Sequence, residues 1–184
     1  MKTLSARKLH LTIAIVMAGG LFLIAPTNSW TQQKFKYFFK EPVGVSKYTQ
    51  QHVLDVGDVP GHQIRVASLQ SKFTDTAPEY DGVKVTESAL WLTSDYVDAS
   101  GRFTSYGILH MANGDKIFTR AEGIGQTSIG PDGGRKTSYS TVTTIVGGAG
   151  KFATIRGTIK GGGTTDFKTG TTGNPSEGEY WFVK

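Results

Sequence analysis

The sequence predicts an all-β domain, an antiparallel barrel of eight strands behind an N-terminal signal or anchor segment. Three observations point there. From residue 60 onward, β-branched and aromatic residues recur with period two between glycine, asparagine and aspartate turns, at the strand spacing of a sandwich or barrel. No stretch after residue 30 carries an amphipathic helical repeat. The chain ends on Tyr180-Trp181-Phe182-Val183, and a last strand that closes a barrel removes an edge otherwise prone to aggregate.

The first element is an address. Lys2, Arg7 and Lys8 precede an uncharged run from Leu9 to Ala25, and Pro26-Thr27-Asn28-Ser29 ends it. A basic start, a short apolar stretch and small polar residues are the parts of a secretory signal peptide. The strongly apolar part, Leu11 to Ala25, is shorter than the ~20 residues of a spanning helix, and Gly19-Gly20 interrupts it. No Ala-x-Ala site is present, so an uncleaved anchor is the alternative to export; Thr27-x-Ser29 is the nearest cleavage site. Either way the charges orient residues 30–184 to the non-cytoplasmic side, periplasmic or secreted. The expected divisions are residues 1–29 as leader, 30–59 as an N-terminal extension and 60–184 as the barrel.

Composition narrows the classes. The 184 residues suit one domain, and with no cysteine there is no disulfide framework, thiolate metal site or cysteine nucleophile. The net charge of +5 invites a nucleic-acid reading, but the leader holds Lys2, Arg7 and Lys8 and no acid, leaving +2 on the rest. The basic, aromatic run Lys34-Phe35-Lys36-Tyr37-Phe38-Phe39-Lys40 alternates with period two, as an amphipathic strand or membrane-facing collar does. Too few phosphate contacts remain for a nucleic-acid partner.

The strands follow in order. Pro60-Gly61 opens a strand from His62 to Leu69 in which Ile64 and Val66 share a face. Val83–Thr86 alternates, and apolar Ala89–Leu92 after it places a bulge or buried stretch near Glu87-Ser88. Asp98–Gly101 reads as a turn. Asn113-Gly114 predicts a two-residue type I′ hairpin, setting Met111 opposite Lys116, Leu109 opposite Phe118 and Gly107 opposite Arg120. Phe103, Leu109, Met111 and Phe118 then share a face with Arg120 and Glu122, while Tyr106, Ile108, His110, Ile117 and Ala121 share the other. Residues 123–173 hold 14 of the 24 glycines. Gly130–Gly134 reads as a loop, Thr137–Val146 as a strand, Gly147–Gly150 as a turn and Lys151–Lys160 as a strand. Gly161–Gly163 and Thr169–Asn174 read as flexible loops before a last strand, Glu179–Lys184.

Catalytic motifs are lacking. Gly148-Ala149-Gly150-Lys151 resembles part of a phosphate loop, but Ile145 stands where its first glycine belongs and Phe152 where Ser or Thr belongs. His10, His52, His62 and His110 show no metal-ligand spacing, so no metal is assigned. There is no G-x-S-x-G elbow, and the S-x-x-K of Ser5 and Lys8 lies in the leader. Asp95 with Asp98, and Glu177 with Glu179, are the solvated acid pairs usual beside turns. The ligand-binding candidates are Arg120 and Glu122 near one barrel mouth, Arg156 among Phe152, Ile155 and Ile159, and Tyr106 with His110 if the opposite hairpin face points inward. The competing reading of Arg120 and Glu122 is a cross-strand or solvent-facing charge pair.

The segment Gly147-Gly148-Ala149-Gly150-Lys151-Phe152-Ala153-Thr154-Ile155-Arg156-Gly157 resembles the G-G-x-G-x-F-x-x-x-R-G signature of dirigent proteins, and more loosely the corresponding turn of allene oxide cyclases. The resemblance implies a calycin-like, allene oxide cyclase-like barrel with an apolar cavity. Such proteins steer reactive intermediates or cyclise an oxidised fatty acid without a cofactor. Arg156 takes the motif's arginine. Three functions stay open: an exported, cofactor-free barrel binding a small apolar or amphipathic molecule; a cyclase or isomerase whose cavity restricts conformers; and an envelope module with a barrel filled by its own side chains. The membrane enters only through an uncleaved leader, and an oligomer is possible.

Overall fold

A computed structural model describes residues 32–166, 170–173 and 175–184, so the leader lies outside the described residues. Alternation of β-branched and aromatic residues produces eleven strands: β1 (Lys34–Phe39), β2 (Ser46–Asp55), β3 (His62–Lys72), β4 (Glu79–Tyr80), β5 (Val83–Val97), β6 (Ser100–Met111), β7 (Lys116–Ile129), β8 (Arg135–Ala149), β9 (Ile155–Asp166), β10 (Gly170–Gly173) and β11 (Ser176–Phe182). The one helical element among the described residues is a 3-10 turn, Gly150–Phe152. All ladders are antiparallel, in the order β1-β11-β9-β8-β7-β6-β5-β3-β2, with β10 on β9 and β4 on β5.

The all-β, antiparallel expectation holds, but ladder closure does not. Among the described residues no ladder joins β1 to β2, so the hydrogen-bonded sheet is open. The C-terminal strand does not supply the seam either: β11 lies inside the sheet, between β1 and β9. The sheet begins at Lys34, because the alternating Lys34–Phe39 run pairs with β11 and Ser46–Asp55 pairs with β3. Side chains bring the two ends of the path together across the concave face. Tyr37 stacks on Tyr80 at 5.1 Å, Phe39 meets Phe73 edge-on at 5.8 Å, and the Asp81 N–H donates to the Tyr180 hydroxyl at 2.8 Å.

The concave face carries the core. Tyr80, Val85, Met111, Ile117, Ile145, Phe152, Ile155, Ile159 and Tyr180 form one buried cluster, with Phe35, Tyr37, Phe73, Leu109 and Phe182 packed against it. At ~25 cal/mol per Å² of apolar surface removed from water, each large side chain here contributes roughly 1.5–3 kcal/mol. The glycine segment Gly147–Gly150 works locally as a corner. Gly150 has φ +63°, a side chain there would collide with the Asp115 carboxylate, and the turn delivers a fully buried Phe152 into the core.

Three local expectations are corrected. At Asn113-Gly114 the loop has three residues: Gly114 N–H donates to Met111 O, Met111 N–H donates to Asp115 O, and of the two only Gly114 has positive φ. Asn113 keeps negative φ because its side chain caps the turn, its Oδ1 accepting from Asp115 N–H at 3.1 Å. A type I turn followed by a left-handed glycine shifts the register by one residue, so Leu109 faces Ile117, Gly107 faces Thr119 and Tyr106 faces Arg120. The type I′ hairpin lies instead at Asp98-Ala99, where φ is +50° and +60°. Gly161–Gly163 is ladder, opposite Thr141, Ser140 and Tyr139, and Gly170–Gly173 of the expected second loop is β10. Residues 167–169 and Asn174 lie outside the described residues. The bulge expected near Glu87 is present, between Val85 and Glu87.

Candidate functional site

The register shift decides where the predicted residues stand. Met111, Leu109, Gly107 and Phe103 share the concave face with Ile117, Thr119, Ala121 and Gly123, while Phe118, Arg120 and Glu122 lie on the convex face with Tyr106, Ile108 and His110. Arg120 and Glu122 are exposed, and Tyr106 is 39% exposed opposite Trp91 on β5. His110 is half-buried opposite Lys116. Arg156, half-buried, stands opposite Trp181 and donates through Nη1 to the carbonyl of Ile155 at 2.7 Å, so a neighbouring backbone oxygen satisfies it. Tyr106 and Arg120 are cross-strand neighbours. Arg156 is two strands beyond Arg120, and none of the five reaches the concave face.

The concave face gathers a different set. Glu41 precedes β2, Tyr48 lies on β2, Arg65 on β3, Tyr96 on β5 and Tyr139 on β8. Arg65 shares the face of buried Ala67, and Ser94 opposite it is 2% exposed. These groups feel one another's charge. Burial raises the Tyr96 phenol, with Tyr48 adding to the rise and Arg65 opposing it. Burial pushes Tyr139 up to about 12, with Glu41 and Tyr48 adding to it. All three phenols therefore stay protonated as hydrogen-bond donors at neutral pH.

Arg65 and Glu41 are held apart. Arg65 donates from Nε at 3.2 Å and from Nη2 at 2.6 Å to Gln63 Oε1, and Gln63 Nε2 donates to Asp55 Oδ1 at 2.8 Å. Among the described residues Arg65 forms no ion pair with a carboxylate. Glu41 Oε1 accepts from the hydroxyls of Ser46 at 2.5 Å and Ser71 at 3.5 Å. Glycines at 123, 125 and 161 let neighbouring side chains lie directly against the backbone of this half of the face. Phe103 lies over Gly123, where a Cβ would come within 2.5 Å of the ring, and the Tyr96 hydroxyl approaches the corresponding point of Gly125 at 3.1 Å. The arrangement offers one cation, three phenol donors, one carboxylate and flat aromatic surface, a set suited to holding a polar head beside an apolar body.

The sequence reading of this strand rests on Ile64 and Val66, which share the face opposite to that of Arg65. Val66 is in fact 51% exposed, and the alternate residues Arg65 and Ala67 point inward. The usable signal was that Ala67 and Leu69 follow Gln63 and Arg65 on one period-two face.

A second depression lies on the convex face between β1, β11 and β9, lined among others by Lys34, Lys36, Lys160, Glu177, Glu179 and Trp181. Three of its charges satisfy one another: Glu179 pairs with Lys34 at 3.0 Å and Lys36 at 2.6 Å, and Lys34 lies over the Trp181 ring at 5.5 Å. Among the described residues no group of three or more His, Asp or Glu could hold a metal ion, and no helix is long and apolar enough to cross a membrane. No protein-family model, curated protein or solved structure matches the chain.

Proposed function

We propose that this chain is an exported, cofactor-free ligand-binding protein that holds a small amphipathic molecule on the half of its concave face that carries Arg65, Tyr96 and Tyr139. Arg65, Tyr48, Tyr96 and Tyr139 meet the polar end, in place of Arg156, Arg120, Glu122, Tyr106 and His110. The carrying observation is the Arg65 guanidinium, half-buried beside phenols, whose hydrogen bonds among the described residues go to a neutral amide. A guanidinium withdrawn from water gains most from a bidentate polar or anionic partner.

The same reading treats Lys34–Asp55 as one interrupted barrel strand, β1 serving β11 and β2 serving β3. With β3, β5, β6, β7, β8, β9 and β11 it makes an eight-stranded barrel whose seam is bridged by chain and side chains. Kinship with allene oxide cyclase-like and dirigent-like barrels rests on the Gly147–Gly157 segment. Export rests on residues 1–29.

A second reading, an envelope interaction module, draws on the core half of the concave face, which Phe152, Ile117, Ile145 and Ile155 fill completely. Native mass spectrometry of protein from its own host separates the two. A bound small molecule retained by wild type and lost from Arg65→Gln supports the ligand reading. A ligand-free protein, with no uptake of an amphipathic fluorescent probe, leaves the module. N-terminal sequencing of the same material tests cleavage of the leader.

A further inference from the structure

We propose that His62 is a protonation-dependent latch that fastens the β2–β3 link, residues 56–61, to β5. The link is tightly built. Val56 N–H donates to His62 O at 3.0 Å, His62 N–H to Val59 O at 3.3 Å, and Asp98 N–H to Gly61 O at 3.1 Å. Asp58 Oδ1 accepts from Val59 N–H at 2.8 Å and also faces His62 Nδ1 at 2.5 Å. On its other side the ring puts Nε2 2.8 Å from Asp95 Oδ1 of β5. The ring is thus spanned by carboxylates at both nitrogens, one from the link and one from the sheet.

That geometry sets the protonation state. A neutral imidazole has a single N–H and a carboxylate only accepts, so both contacts are hydrogen bonds only when the ring is the imidazolium. On deprotonation one nitrogen turns a lone pair toward a carboxylate, and that contact becomes repulsive. The surroundings bias the ring toward its charged form. Asp58 comes from the link, Asp95 from β5, Asp98 from the β5–β6 turn, and Asp55 from β2 through Gln63. Arg102 on β6 stands opposite Asp95 in the ladder and, among the described residues, forms no ion pair with it. The hydrogen bonds from Asp95 and then Asp58 raise the His62 pKa above its ordinary value.

The latch is closed while the ring is the imidazolium and opens as pH rises through the raised pKa. Gly57 and Gly61, at φ +82° and +76°, are the positions at which the link turns. Strand β3 carries both His62 and Arg65, so the latch steadies the strand bearing the proposed ligand group. It stands whether or not a ligand binds there.

Hydrogen exchange read by mass spectrometry on the full chain tests it, with labelling times scaled to cancel the intrinsic rise of exchange with pH. In wild type, peptides covering residues 56–61 exchange at least tenfold faster at pH 9 than at pH 6, while core peptides of β7 and β9 do not change. In His62→Gln the two pH values give equal exchange over 56–61. In Asp95→Asn, whose amide can donate to a neutral ring, the opening midpoint moves down toward that of an ordinary histidine. Equal exchange at both pH values in wild type, or the wild-type rise persisting in His62→Gln, overturns the latch.

Discussion

The Tyr180 hydroxyl accepts a hydrogen bond from the backbone N–H of Asp81 at 2.8 Å, across 99 residues of sequence, and ties β11 to the turn between β4 and β5. Lys151 closes on the same turn, its Nζ 2.8 Å from Asp81 Oδ2 and 2.8 Å from Asp81 O. Tyr180 is 5% exposed, whereas the Lys151 and Asp81 side chains keep 43% and 37% of their surface in water. Tyr180→Phe leaves a backbone donor without its acceptor and costs about 1–2 kcal/mol in urea denaturation. Lys151→Met removes a solvent-screened pair and costs under about 1 kcal/mol. The reverse ranking would show that the tie runs through the ion pair.

Ala99 sits at φ +60° in the two-residue turn between β5 and β6. The left-handed region costs an L residue roughly 1–2 kcal/mol, and glycine avoids that cost while losing more freedom on folding. Ala99→Gly is therefore stabilising by about 0.5–1 kcal/mol, seen as a higher thermal midpoint. At Gly114, φ +86°, alanine brings the opposite change of about 1 kcal/mol or more.

Isoleucines on the two faces separate cleanly. Ile117→Ala empties a site with 0% exposure and costs about 2–5 kcal/mol. Ile124→Ala, at 57% exposure, changes stability by about 0.5 kcal/mol or less. Urea midpoints of the two variants check this assignment of faces.

Acid acts on the β1–β11 pairing. Hydrogen bonds from Lys36 and Lys34 hold the Glu179 carboxyl below its ordinary value. A carboxylate depressed in the folded state contributes stability that is present above its unfolded pKa, about 4.3, and fades as pH falls through the lower folded value. Glu179→Gln should flatten the acid limb of the stability curve below about pH 4.5 relative to wild type, with little change at pH 7. An unchanged acid limb would mean that the two lysines do not hold β1 to β11.

Strand existence was legible in the sequence because period-two patterning reports directly on a sheet with two different faces. The side chain of a single residue defeated the register. Asn-Gly favours a type I′ turn, but Asn113 Oδ1 and Nδ2 both reach Asp115 and draw the turn into its three-residue form. That one-residue slip carried Arg120 and Glu122 off the face of Phe103, Leu109 and Met111 and left them solvent-facing, as the competing reading had them. The Arg65 cluster was beyond local reading for another reason. Glu41, Tyr48, Arg65, Tyr96 and Tyr139 are adjacent only through the strand order, and Val66 beside Arg65 is apolar yet exposed. Gly161–Gly163 misled in the opposite sense: the partner strands β8 and β11 close over these bare positions, with Ser176 Oγ 2.5 Å from where a Gly161 Cβ would stand.

The two ends of the strand path β1-β11-β9-β8-β7-β6-β5-β3-β2 belong to strands that follow each other in the chain, β1 and β2, joined by residues 40–45. Parting them breaks no backbone hydrogen bond of a ladder. It separates the Tyr37–Tyr80 and Phe39–Phe73 rings and frees the hydrogen bond from Ser71 to Glu41, while the connecting segment keeps both lips on a short leash. A uniformly zipped cylinder would have to unravel a strand to admit anything. Here the two ends of the path are held by ring contacts and by the Asp81 N–H to Tyr180 hydroxyl bond, and their reclosure is intramolecular.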